Sequence, residues 1–306
     1  MLLPLCKVRT TLLELSYMKL DTLITIIRTH HVTSMIVILF YMYIIFTKRF
    51  EKSSEPRSSK YKLKLPKTPH LTLYEKDIKN RQIFIIGDVH GCLEELEDLL
   101  VLANYESDKI LLIFVGDLVN KGPHSVQTLR KVRELNAYAV RGNHEEIALV
   151  QYMTWWNGEV VTPRKCSWTT ELNEDEVDFL QELPYTIEIP SKNALIVHGG
   201  IVPGVSLENQ NLTHFISMRS LQTIGEKLIA SPRTFIGKPW ASFWSGPRHV
   251  YFGHDAARSL QQYPYATGLD TRCLYGGFIS GIFLDSNKIL QIRAKLVHQK
   301  PKIKTE

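Results

Sequence analysis

The 306-residue chain is 44% hydrophobic and 22% charged, which excludes wholesale disorder and leaves material for one large core plus an appendage. Its net charge of +6 is uneven, since residues 1–67 hold 12 Lys/Arg against 4 Asp/Glu and the rest hold 25 against 27. Basicity confined to the N-terminal part implies no stable nucleic-acid partner for the main domain.

The first element in chain order is "VTSMIVILFYMYIIF", Val32 to Phe46, an uncharged run between Arg28 and Lys48–Arg49. It is somewhat short for a span, but flanking His31, Thr47 and a snorkelling Lys48 can extend it. The expectation is a basic segment over 1–31, a single-pass transmembrane anchor over 32–47 and a basic linker over 48–79. A cleaved signal peptide fits poorly, because about thirty residues precede the run and no small-residue cleavage site follows it. Positive-inside counting places the following domain in the cytosol. The sequon Asn211-Leu212-Thr213 argues for the lumen.

Residues 80–298 read as one α/β domain, with a tail over 299–306. Apolar strand-like runs recur at Gln82–Ile86, Ile110–Val115, Ala137–Val140, Thr186–Ile189, Ala194–Val197, Val250–Phe252 and Gly277–Leu284, with amphipathic stretches at Leu93–Ala103 and Ser125–Leu135. Four cysteines (Cys6, Cys92, Cys166, Cys273) without a CxxC pair argue against a disulfide framework or a thiolate zinc site. Cys92 reads as a small buried residue, and Glu94–Glu95 and Glu145–Glu146 as helix N-terminal charges.

Strand after strand ends in the same chemistry: an apolar run, then a glycine beside a metal-ligand type. "IFIIGDVHG" supplies Asp88 and His90, "IFVGDLVNKGP" supplies Asp117, "AVRGNHEE" supplies Asn143 and His144, "LIVHGG" supplies His198 and "VYFGHDA" supplies His254. Strand ends of an α/β sheet gather at one edge, so these residues can converge although up to 166 positions separate them. All are oxygen or imidazole donors suited to Zn2+, Mn2+ or Fe. Six ligands exceed what one ion needs and fit two ions about 3.5–4 Å apart, with Asp117 as candidate bridge.

"GDVHG", "GDLVNKGP", "RGNHE", "HGG" and "GHDA" together resemble the calcineurin-like metallophosphatase superfamily, and "FGHDA" and "ATGLDTRCLYGG" its ApaH-like branch. The added N-terminal segment is most similar to the fungal zinc-dependent vacuolar endopolyphosphatases. The resemblance implies an α/β (α+β) fold, a β-sandwich flanked by helices, here with an N-terminal transmembrane helix. It implies two divalent ions, Zn2+ foremost with Mn2+ or Co2+ as alternatives. One would sit on Asp88, His90 and Asp117, the other on Asp117, Asn143, His198 and His254.

It also implies His144 as general acid, oriented by Asn120, with phosphate contacts at Lys121 and Arg219 and Arg141 on or near the first metal. Arg258 and Arg272 are weaker clamps. Trp155, Trp156, Trp240 and Trp244 are candidates for stacking a base, though packing is the commoner role. The Asn120–Lys121 pair departs from the Asp–Arg pair of protein phosphatases and favours phosphoanhydride substrates. The expected activity is endopolyphosphatase cleavage of polyphosphate at a vacuolar membrane with a lumenal domain. The alternatives are a dinucleoside-tetraphosphate or mRNA-cap hydrolase and a serine/threonine protein phosphatase.

Overall fold

The computed structural model describes residues 59–160 and 164–300, with Phe40 besides. The fold below is that of the unit Ser58–Glu306. It begins with β1 (His70–Thr72), α1 (Glu75–Ile78), β2 (Gln82–Ile86), α2 (Leu93–Leu102), β3 (Ile110–Phe114), α3 (Ser125–Glu134), β4 (Tyr138–Ala139), α4 (Asn143–Trp156) and α5 (Glu174–Glu182). After these come β5 (Thr186–Ile189), β6 (Ala194–Val197), α6 (Leu212–Ser217), β7 (Ser220–Ile224), β8 (Lys227–Ser231) and β9 (Lys238–Pro239). The last strands are β10 (His249–Phe252), β11 (Gln261–Tyr263), β12 (Ala266–Gly268), β13 (Phe278–Phe283) and β14 (Lys288–Arg293).

Two mixed sheets stack face to face. One runs β1-β5-β6-β10-β12-β11 and the other β14-β13-β2-β3-β4, with a small β8-β7-β9 sheet apart. The two-residue period of a strand explains the layers. In β2, Ile83 and Ile85 face a core shared with Ile187 and Ile196 of the other sheet, while Phe84 and Ile86 face helical residues such as Leu96, Leu129 and Ala148. In β6 and β10, Leu195, Val197, Val250 and Phe252 turn outward onto Phe215, Ile216 and Trp240. Strands buried on both faces need uninterrupted apolar runs, which "ILLIF" supplies throughout and "QIFII" after its first residue. The result is an α+β sandwich flanked on both sides.

The transmembrane helix is corrected. Among the described residues no helix is long and apolar enough to cross a membrane. The run Val32 to Phe46 lies, Phe40 apart, outside the described residues. The membrane as partner and the vacuolar membrane location fall with it. Within 48–79, read as linker, β1 and α1 belong to the sandwich, with Leu73 and Ile78 in its inter-sheet core.

Candidate metal centre

The candidate ligands come from one edge of both sheets. Asp88 and His90 follow β2, Asp117 follows β3, Asn143 opens α4, His198 follows β6 and His254 follows β10. His90, Asp117 and His254 take left-handed backbone conformations (φ 50°, 51° and 69°), as do Asn120 and Lys121 (71° and 75°). Such strain in non-glycine residues gathers at functional sites. Glycines beside the ligands serve close approach: a Cβ on Gly142 would run into Asp117 Oδ1, and one on Gly253 into Asp88 Oδ1.

Asp117 is the hub. Donor atoms of His90, Asp117 and His144 lie within 4.8 Å of one another, and so do those of Asp117, His198 and His254. The two groups share the Asp117 carboxylate. His90 Nε2 is 3.5 Å from its Oδ2, and His198 Nε2 is 3.3 Å from its Oδ1. Asn143 Oδ1 lies 3.2 Å from His198 Nε2, and the Asp88 carboxylate accepts the His254 N–H at 3.1 Å. The other ring nitrogens are pinned near carbonyls, His90 Nδ1 at Val119 O and His198 Nδ1 at Val115 O, an outer shell that orients metal-binding imidazoles.

The electrostatics fit cations. Burial, with Asp270 and Asp117 close by, pushes the Asp88 carboxyl well above the usual range. Burial opposes ionisation of Asp117, yet His198, His144 and His90 hold its carboxyl well below that range. Burial lowers His90 and His254 strongly, assisted by Lys121 and Arg219 respectively, so both rings stay neutral and free to ligate. Crowded buried carboxylates beside the neutral His90 and His254 rings make a cavity for divalent ions. The residues therefore fit a dinuclear centre holding two divalent metals.

Around it, Lys121 Nζ reaches 3.2 Å from His90 Nε2, and Arg219 Nη2 donates to His254 O at 2.9 Å. Asn120 Nδ2 donates to the His144 carbonyl at 2.9 Å, so its contact is with the main chain, and the buried His144 Nδ1 has no hydrogen-bond partner. Arg141 is not gathered with the ligands. Its fully buried guanidinium donates to Gln181 O and Tyr185 Oη and lies 3.9 Å from Glu146. Arg258 is held by Asp255, Ser220 Oγ and Thr234 O, while Arg272 is exposed. Trp155 and Trp156 pack with Tyr152 on α4, Trp240 packs on Phe252, and Trp244 donates to Arg248 O.

Three contributors escaped sequence reasoning. Glu145, read as a helix charge, accepts the N–H groups of Asp117, Leu118 and Gly142 at 2.8–2.9 Å and clamps the turn after β3. Trp168 Nε1 donates to Asn120 Oδ1 at 2.9 Å. Asp270 is buried near Asp88, and "ATGLD" repeats the strand–glycine–acid pattern that would have found it.

Residues 81–276 match the family model described as calcineurin-like phosphoesterase, and the chain belongs to that family. It is a metal-dependent phosphoesterase. Among relatives, the asymmetrical bis(5'-nucleosyl)-tetraphosphatase PrpE of Halalkalibacterium halodurans is 29% identical over 72% of this chain and 97% of its own length. Serine/threonine-protein phosphatase 1 of Salmonella typhimurium is 29% identical over 67% and 94%. A solved chain, "Crystal structure of a putative diadenosine tetraphosphatase", superposes with TM-score 0.67 at 35% identity, covering 74% of this chain and 98% of that one. The similarity lies with this ApaH-like branch and not specifically with vacuolar endopolyphosphatases, which corrects the finer resemblance drawn from the N-terminal segment.

Proposed function

We propose that the chain hydrolyses a phosphoanhydride bond of bis(5'-nucleosyl) tetraphosphates. The similarity to tetraphosphatases supports this substrate class over polyphosphate. The observation that carries it is the environment of His144: the buried Nδ1 has no acceptor, and the residue beside it is the neutral Asn120, which holds the His144 main chain. Burial lowers His144 to about 4, so at neutral pH the ring carries no proton for a poor leaving group. A phosphate leaving group needs none, whereas a serine alkoxide does.

Asp88, His90, Asp117, Asn143, His198 and His254 would hold the two cations, which supply hydroxide near neutral pH and polarise the phosphoryl oxygens. Lys121 and Arg219 take the non-bridging oxygens and offset the charge that builds as the bond breaks. Asp117 belongs to both ligand groups and would contribute its carboxylate to both cations.

The full chain loaded with Mn2+ or Zn2+ and given diadenosine tetraphosphate, long-chain polyphosphate or a serine phosphopeptide tests this. The dinucleotide is expected to show the highest kcat/KM, with activity lost on chelation. Preferential turnover of the phosphopeptide or of polyphosphate would overturn it.

A further inference from the structure

We infer a second cation site, separate from the Asp117 centre, in which Cys92, Glu95 and Cys273, with His298 at the rim, hold one Zn2+. Both sulfurs and a Glu95 carboxylate oxygen lie within 4.8 Å of one another, and all three side chains are buried, at 0%, 2% and 3% exposure. Cys92 caps the N-terminus of α2 and Glu95 sits three positions further on the same helical face. Cys273 arrives from the segment between β12 and β13, and His298 from beyond β14. No sequence spacing announces the group, because its members meet only through the fold.

The geometry suits a tetrahedral ion. With Zn–N and Zn–O bonds of about 2.0–2.1 Å, the edge joining two such ligands is about 3.4 Å, and with Zn–S of about 2.3 Å two sulfurs sit about 3.8 Å apart. His298 Nε2 lies 3.4 Å from Glu95 Oε1, and the Cys273 and Cys92 sulfurs lie within 4.8 Å of each other. The Lys295 N–H also donates to Glu95 Oε1 at 3.0 Å, holding the C-terminal segment beside the site. Soft sulfur donors select zinc over Mn2+ or Mg2+, unlike the nitrogen and oxygen donors around Asp117. Both thiols are free, and their burial shields them from oxidants in solution, which weighs against a disulfide. The ion would tie three segments together. Two of them carry Asp88, His90 and Asp270, so the site would brace the floor of the phosphoesterase centre without touching substrate.

Metal-free full-length protein titrated with Co2+ alone, and separately with Zn2+, reads the site directly. Three equivalents are expected to bind, with a thiolate-to-cobalt charge-transfer band and, at the zinc absorption edge, a sulfur shell at about 2.3 Å. In the C92S/C273S variant, which keeps Cys6 and Cys166, the stoichiometry should fall from three to two and the sulfur signal should vanish. A sulfur-free shell with two equivalents in the wild type overturns the inference even if the variant fails to fold. So does a sulfur signal that survives in the variant, or a peptide map that joins Cys92 to Cys273 through a disulfide.

Discussion

Trp168 lies outside every motif, yet its indole N–H fixes the Asn120 amide, whose nitrogen in turn donates to the His144 carbonyl. Trp168→Phe keeps the ring and deletes the donor. Asn120 precedes Lys121, the clamp for charge that builds as the bond breaks, and one neutral hydrogen bond is worth about 1 kcal/mol, so loosening this turn should lower kcat roughly five- to tenfold with KM nearly unchanged. A kcat equal to wild type would make Trp168 a packing residue only. The titrating groups give a second expectation. Burial opposes a proton on His198, but Asp117 outweighs it and raises the imidazole above its usual value. Burial and Asp117 push Glu145 up to about 7, and Asp88 is raised as well. Raised groups keep protons to higher pH, and cations must expel them. Metal uptake should therefore release protons, more at pH 6 than at pH 8. Calorimetric titration with Mn2+ in two buffers of different ionisation heat measures this, and buffer-independent heats would sink it.

Elements differ in how much of them the residues announce. β2, β3, β6 and β10 are apolar runs with a glycine within two residues of their ends, and each is legible because it is buried on both faces. The three-residue strands β1, β11 and β12 are too short for any period, and β14 is only half-buried, with Lys288, Gln291 and Arg293 exposed among its apolar residues. The helix α4 hides behind the ligands that open it, "NHEE", and its last turn is exposed tryptophan. The candidate ligands were legible because each lies close behind the end of a strand. Glu145 reaches back 28 and 27 positions to the N–H groups of Asp117 and Leu118, Trp168 reaches back 48 positions to Asn120, and Asp270 acts on Asp88 from the far end of the domain, contacts that no local pattern encodes. The turn after β3 is where an element depends on one such contact. Glu145→Gln would leave N–H groups of Asp117, Leu118 or Gly142 facing an amide. A loss of about 3 kcal/mol in stability is expected from unmatched donors. Metal affinity should drop about 10- to 100-fold, as for other outer-shell partners. Denaturant midpoints and chelator competition check both, and an unchanged affinity would remove Glu145 from the site's support.

Across the whole molecule, Asp88, Asp117 and Asn143 come from the five-stranded side and His198 and His254 from the six-stranded side. Cations bound there cross-link the two halves of the sandwich. At a hundred times the dissociation constant, a ligand that binds only the folded state adds about 2.7 kcal/mol, which in a domain of this size raises Tm by about 5–11 °C. Thermal melts with saturating Mn2+ and with chelator should differ by that amount or more, since two ions bind. Coincident melts would mean that the centre does not bridge the sheets.

The strand β1 pairs in parallel with β5, His70 against Thr186 through Thr72 against Glu188, and closes one side of the six-stranded sheet. A chain begun at residue 80 would lose that pairing together with Leu73 and Ile78 from the core. The bared β5 would offer a row of unanswered amides and carbonyls, a template on which another molecule can add its own strand. Self-association is the expected price of that trimming: light scattering should rise with concentration for protein beginning at 80 and stay flat for protein beginning at 59. Equal scattering from the two would show that β1 is dispensable as a guard against polymerisation.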